Sequence, residues 1–209
     1  MSRQYLVLGK GTGTAQVFEE IQPALEALLD KDLVFKPPYH EELSDGLVEE
    51  LWLERDKKAL LTLVSDFETP AQYLIIEAEK QEILTQIASI LEKHVSFIPV
   101  SELREEAGQK MKDAYGALIR LIWGSSETFD KTSAAILLQG LKAEEEHVRY
   151  EAVMAAGLSH WAELVDELRP ISQNDEDEEI AETARRAMKA CRQGPRRRDT
   201  TYLYLKGTA

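Results

Sequence analysis

The sequence predicts an α+β fold: a small N-terminal α/β sandwich with antiparallel strands, followed by an α-helical stack of hairpins. Up to about residue 100, short runs of strand-forming residues alternate with amphipathic helices. After that point, apolar residues recur at the spacing of three and four that is typical of helices. We therefore divide the 209 residues into an α+β part at 1–100, a helical part at 101–193 and a basic tail at 194–209.

The chain begins with a predicted strand, a loop and a helix. Residues 5–8 form an apolar run that predicts a strand, and the glycine-rich residues 9–14 end it. The apolar spacing over residues 15–29 predicts a helix. Pro23 lies inside this helix, and we expect a break or kink there because proline cannot donate a backbone hydrogen bond.

An antiparallel meander is the main feature predicted for the middle of the α+β part. Residues 33–35 predict a short strand, and the polar residues 40–46 predict a loop or a short helical turn. Strand-forming runs on both sides of a turn at 66–71 then predict a meander over residues 51–78. The apolar spacing of residues 79–94 predicts the helix that follows.

A long helix is predicted to join the two parts of the chain. Before it, residues 95–100 predict a further strand that Pro99 interrupts. Ser101 is a favourable N-cap, and acidic residues follow it in the first turn. One continuous apolar face then predicts a single helix from residue 101 to residue 123.

The helical part beyond residue 130 is organised as two hairpins. The spacing of apolar residues separates four helices, and each ends at a glycine, a proline or a polar loop. The predicted helices span 133–142, then a helix from 144 that residues 157–159 end, then 161–170 closed by Pro170, and 178–191 after a loop at 173–177.

The second and fourth helices of this region align with each other at an offset of 32 residues, which pairs Val148 with Ile180. Residues 148–157 (VRYEAVMAAG) resemble the short HEAT-like repeats of the phycobilisome-lyase type. The second copy departs from this pattern at Ala181 and Lys189, and an ordinary helical bundle is the alternative. The resemblance implies a repeat stack in the C-terminal half and a phycobilisome-related role, as a chaperone or a lyase-like bilin protein.

Composition limits the classes of partner. The net charge is −13, which disfavours binding to nucleic acid and to anionic membranes and favours a basic protein partner. The sequence predicts neither a signal peptide nor a membrane-spanning run, and Cys191 is the single cysteine. We therefore expect a cytoplasmic protein. In the tail, residues 202–208 predict a strand that returns to the N-terminal sheet or pairs with a partner chain, with a disordered tail as the alternative.

Two patterns offer weak signals of ligand chemistry. The loop Gly9, Lys10, Gly11, Thr12, Gly13 and Thr14 lies between a predicted strand and a helix, where phosphate groups bind, but it matches neither glycine-rich nucleotide motif. His147 and Glu151 are four residues apart on one helix, which suits a shared metal ion; a solvated helix face is the simpler interpretation. We predict no metal, no cofactor and no catalytic set.

The leading hypothesis is a non-catalytic protein-binding or scaffolding module that uses the helical stack and an acidic surface. An immunity-type inhibitor of a basic toxin and a nucleotide- or phosphate-binding enzyme that uses residues 9–14 are the alternatives. Aromatic side chains near hairpin ends and one acidic run are the predicted contacts. These partner-binding residues are Tyr150, Trp161, Asp175, Glu176, Asp177, Glu178 and Glu179.

Overall fold

A computed structural model describes residues 2–9, 14–44, 47–66 and 71–194, and it confirms the α+β fold. The chain forms two compact units, Met1–Pro99 and Val100–Ala209. The first unit holds a five-stranded antiparallel sheet and two helices, and the second unit is helical in its described residues.

The first unit is built on a sheet with the strand order β1-β5-β4-β3-β2. Every neighbouring pair of strands is antiparallel, and β3, β4 and β5 form the predicted meander. The elements in chain order are β1 (Ser2–Val7), α1 (Thr14–Leu29), β2 (Tyr39–Ser44), β3 (Leu47–Leu53), β4 (Ala59–Asp66), β5 (Ala71–Ala78) and α2 (Gln81–His94).

The core of this unit lies between one face of the sheet and the apolar sides of α1 and α2. Both helices repeat apolar residues every three or four positions, so each buries a single stripe. Trp52 of β3 lies in the same core and contacts the ring of Phe18, at 5.2 Å between centroids. The fully buried contributors include Val17, Ile21, Leu28, Ile87, Leu91, Leu61, Leu63, Leu74 and Ile76.

Residues 39–44 form a strand, so the prediction of a loop or helical turn at 40–46 is wrong for them. The exposed side chains of residues 39–42 fit an outer strand, because only one neighbouring strand pairs with β2. His40 Nδ1 is 2.7 Å from Glu50 Oε1 of β3 and supports this pairing. The expected strands at 33–35 and 95–100 reduce to single bridges, Phe35 with Glu54 and Phe97 with Leu8.

The described residues of the second unit form six α-helices, and the fourth of them is the centre. These are α3 (Val100–Lys110), α4 (Ala117–Gly124), α5 (Lys131–Leu141), α6 (Glu146–Ser159), α7 (Val165–Asn174) and α8 (Glu178–Gln193), with a short 3₁₀ helix, Ala162–Leu164, before α7. Helix α6 packs against α4, α5 and α8, and residues 151–159 are buried on every side. None of the helices in the described ranges is both long enough and apolar enough to cross a membrane.

The prediction of a single helix over residues 101–123 is wrong, because this range forms two helices. Helix α3 ends at Lys110, and α4 starts at Ala117 after Gly116. The backbone of Gly116 is left-handed, with φ of 86°, and this conformation cannot continue a right-handed helix. The apolar face continues through the break, because Met111 remains buried in the connecting segment.

Prolines mark the helix ends less strictly than predicted. Pro23 and Pro170 both lie inside helices, α1 and α7, on exposed sides where a missing backbone hydrogen bond leaves its acceptor near water. Helix α6 ends at Ser159, within the expected ending at residues 157–159. It ends there because His160 adopts a left-handed conformation, with φ of 56°.

Candidate functional site

An open groove of about 410 Å³ lies at the N-terminal turns of α6 and α8, and we call it the α6–α8 groove. Three carboxylates, two tyrosines, one histidine and one isoleucine surround it. The lining residues are Tyr115, Glu146, His147, Tyr150, Asp177, Glu179 and Ile180.

Small side chains bring the two helices of the groove together. The alanines that the 32-residue offset aligns, Ala152 with Ala184 and Ala155 with Ala187, are all fully buried. At the far end of the pair, Cys191 Sγ donates to the Ala156 carbonyl over 3.3 Å. Helices α6 and α8 therefore run in the same direction, and their positive N-terminal ends lie side by side at the groove.

The carboxylates of the groove follow from these helix ends. Asp177 is the N-cap of α8, and its Oδ1 accepts from the backbone N–H groups of Glu179 at 2.8 Å and Ile180 at 3.1 Å. Glu146 and Glu179 lie in the first turns, where negative charge stabilises a helix. Among the described residues, no lysine or arginine lines the groove, so its rim is negatively charged.

Two tyrosines form the apolar part of the groove. Tyr150 is half-buried, and its burial, together with the charge of Glu179, raises the pKa of the phenol. Its hydroxyl is therefore neutral at physiological pH. Tyr115 comes from the segment between α3 and α4, and 44% of its surface is exposed. An exposed ring next to carboxylates offers both stacking and ionic contacts to a ligand.

An ion pair connects the starts of α6 and α8. Arg149 donates through Nε and Nη2 to both carboxylate oxygens of Asp175, at 2.9 Å and 3.2 Å. Its Nη1 also donates to the carbonyls of Ala143 and Glu144, just before α6. This pairing lowers the pKa of Asp175. Asp175 Oδ1 accepts in turn from the backbone N–H of Asp177, so the pair positions the N-cap of the groove.

His147 and Glu151 suggested a metal-binding pair from their spacing. In the structure they attach α6 to the segment that carries Tyr115. His147 Nε2 donates to the Lys112 carbonyl over 3.1 Å. Glu151 is only 1% exposed, so it does not belong to a solvated face, and it accepts from the backbone N–H of Gly116 at 2.9 Å. Burial raises the pKa of Glu151, and this hydrogen bond opposes the shift. No cluster of three or more metal-ligand side chains occurs among the described residues.

The structure brings together three of the seven predicted partner-binding residues: Tyr150, Asp177 and Glu179 line the α6–α8 groove. Asp175 lies beside it in the ion pair described above. Glu176 and Glu178 are exposed, and Glu178 pairs with Arg185 at 2.7 Å.

Trp161 is buried, with its ring edge-on to Phe129 at 5.5 Å, so it contributes to the core rather than to the groove. Four lining residues were not predicted as partner contacts: Tyr115, Glu146, His147 and Ile180. The sequence signal for Glu146 was its position as an acidic residue in the first turn of a helix. Tyr115 carried no such signal, because it joins the groove only through the break between α3 and α4.

Two predicted features lie largely or wholly outside the described residues. The first is the glycine-rich loop, of which the structure does not describe Lys10, Gly11, Thr12 and Gly13. The hydroxyl of Thr14, at the start of α1, accepts from Gln72 Nε2 over 3.4 Å. The predicted strand at 202–208 also lies outside the described residues.

Comparison of the chain with protein-family models, curated proteins and solved structures gives no match. The resemblance of residues 148–157 to HEAT-like repeats, and the bilin-related role that it implies, therefore stay predictions.

Proposed function

We propose that this protein is a non-catalytic interaction module that binds a basic segment of a partner protein in the α6–α8 groove. The observation that supports this proposal is the composition of the groove: three carboxylates and two tyrosines surround about 410 Å³ of open space, and no lysine or arginine among the described residues lines it. Charge complementarity of this kind favours lysine- or arginine-rich ligands.

The geometry suits a cationic side chain with an apolar stem. Its charged end contacts Glu146 or Glu179 at the rim, and its stem packs on the rings of Tyr115 and Tyr150. An arginine also stacks on an exposed tyrosine ring. Two polar side chains of the groove already make structural hydrogen bonds, since Asp177 caps α8 and His147 donates to the Lys112 carbonyl. These features favour binding over catalysis.

The small binding free energy of each contact indicates that the ligand is a peptide rather than a single amine. Exposed ion pairs and exposed cation–π contacts each contribute about 1 kcal/mol or less. A single cationic group that makes two or three such contacts therefore gains at most about 3 kcal/mol, which is less than the roughly 4 kcal/mol that corresponds to a Kd of 1 mM. Useful affinity requires a longer basic segment that also reaches exposed carboxylates outside the groove, such as that of Glu144.

The test is fluorescence anisotropy with a labelled synthetic peptide of about twelve residues that contains arginine, leucine and alanine. We expect binding to the wild-type chain and, at physiological salt, affinity at least about tenfold lower for Glu179→Lys. Glu102→Lys is the matched control, because Glu102 is also exposed in a helix first turn, that of α3, but does not line the groove. Equal loss of affinity in both variants would show that overall charge, not the groove, binds the peptide.

A further inference from the structure

The sheet of the first unit ends at β2, whose outer edge pairs with no other strand in the described part of the chain. Residues 39–42 are all exposed, and Tyr39 is 68% exposed. At the other end of the sheet, the Val7 carbonyl of β1 accepts from the Ile98 N–H at 2.8 Å. A strand edge presents backbone N–H and C=O groups that can pair with an added strand. The edge of β2 therefore has the geometry that strand addition requires.

An apolar cleft of about 300 Å³ lies immediately before β2, and we call it the Trp52 cleft. Leu29 of α1 is 49% exposed beside it. Pro37 and Pro38 have no N–H to donate, so they cannot extend the strand pairing of β2 into the cleft. The lining residues are Gln22, Leu25, Glu26, Leu29, Phe35, Lys36, Pro37, Pro38 and Trp52.

The register of the sheet places the cleft and half of β2 on the same face. Glu50 of β3 points to the same face as Trp52, because side chains alternate along a strand. His40 pairs opposite Glu50, so His40 and Glu42 share the helix-covered face with the cleft. A strand added about 4.8 Å beyond β2 would direct alternate side chains towards the Trp52 cleft.

The charge of β2 determines which strand can pair with it. In an antiparallel pair of two copies centred on these residues, Glu41 would lie opposite Glu41 or Glu42 of the other copy. Like charges directly opposite each other destabilise a sheet. A second copy of this chain is therefore a poor partner, whereas a strand with lysine or arginine at these positions is complementary.

We infer that β2 accepts an extended, basic partner strand by antiparallel strand addition, with alternate apolar side chains of that strand in the Trp52 cleft. Main-chain hydrogen bonds to the edge supply affinity in this mode, and the cleft and the glutamates supply specificity. The surface lies in the first unit and is independent of the α6–α8 groove of the second.

The experiment uses the full-length chain and a nine-residue synthetic peptide in which lysine alternates with leucine. Hydrogen exchange measured by mass spectrometry reports which backbone amides the peptide protects. The control peptide has the same sequence with N-methyl groups on alternate residues, which block strand pairing at equal charge. We expect protection of residues 39–42 and affinity at least about tenfold higher for the unmethylated peptide.

Matched variants locate the binding. We expect Glu41→Lys on the outer strand to reduce affinity about tenfold, and Glu82→Lys, at an exposed position in the first turn of α2, to leave it nearly unchanged. Equal affinity of the two peptides, or no binding by either, would overturn the inference. Binding that Glu179→Lys abolishes and Glu41→Lys does not would also overturn it, because the peptide would then occupy the α6–α8 groove.

Discussion

Glu151 lies in the middle of α6 and caps the start of a different helix, α4. Gly116 precedes that helix and has no side chain with which to cap it. The carboxylate of Glu151 accepts instead from the backbone N–H groups of Gly116, Leu118 and Ile119, at 2.9, 2.7 and 3.4 Å. We expect Glu151→Gln to lower the free energy of unfolding by about 2–3 kcal/mol, because its amide N–H₂ group would face buried donors.

Urea denaturation followed by tryptophan fluorescence measures this loss, since Trp123 is buried in α4. Glu127→Gln is the matched control at an exposed loop position and should leave stability unchanged. Equal stability of the wild-type chain and Glu151→Gln would mean that the carboxylate is not needed to cap α4.

The ion pair between Arg149 and Asp175 should make stability depend on pH in acid. Hydrogen bonding to Arg149 lowers the pKa of Asp175 in the folded chain. Its contribution is therefore complete above the unfolded-state pKa of about 3.9 and is lost as the pH falls through the folded-state pKa. We expect Asp175→Asn to lower the free energy of unfolding by roughly 1–2 kcal/mol at pH 6 and by less at pH 3.

Asp166→Asn provides the comparison, because Asp166 also pairs with an arginine, Arg169, but its side chain is 86% exposed. Exposed pairs contribute little, so the difference between this variant and the wild-type chain should be near zero at both pH values. A loss for Asp175→Asn that does not change between pH 6 and pH 3 would show that its charge contributes nothing.

Asp177 and Glu151 both cap helices, but only the first of these caps is predictable from the sequence. The acidic N-cap of α8 follows from local spacing, because Asp177 bonds to N–H groups two and three residues ahead. Glu151, by contrast, caps donors 32 to 35 residues away. Local spacing carries no signal of such a contact, so its helical neighbour His147 suggested a metal pair instead.

At the scale of elements, Gly140 allows α5 to approach α4 and α6. A Cβ at this position would lie 2.8 Å from Leu118 Cδ1 and 2.9 Å from Ala152 Cβ. Leu118 can rotate, but the Cβ of Ala152 is fixed to its backbone. We expect Gly140→Ala to lower the free energy of unfolding by about 1–2 kcal/mol, because the clash exceeds the gain of about 1 kcal/mol in helix propensity.

Gly108→Ala in α3 is the matched control, because a Cβ there meets no atom within 4 Å. This variant should gain up to about 1 kcal/mol from helix propensity alone. Urea denaturation of both variants measures the contrast. A gain in stability for both would mean that the helices around Gly140 separate without cost.

The elements that were predicted correctly are those with a strong local signal. Helices α1, α2, α5 and α8 follow from apolar spacing, and the meander follows from runs of strand-forming residues on both sides of a turn. The strand β2 did not, because its exposed polar residues have the composition of a loop and become a strand only by pairing with β3. The break between α3 and α4 was missed for a related reason: the apolar face continues across Gly116, whose left-handed backbone is not visible in the apolar spacing.

At the scale of the whole molecule, the net charge of −13 attracts any basic ligand at low salt. Screening distinguishes this general attraction from the α6–α8 groove, because the Debye length is about 30 Å at 0.01 M salt and about 8 Å at 0.15 M. Glu179→Lys and Glu102→Lys raise the net charge equally, so both should weaken binding of the arginine peptide at 0.01 M salt. At 0.15 M, only Glu179→Lys should remain weaker than the wild-type chain, since its charge lies within the groove. Anisotropy titrations at the two salt concentrations measure this difference, and parallel salt dependence of the two variants would contradict a local site.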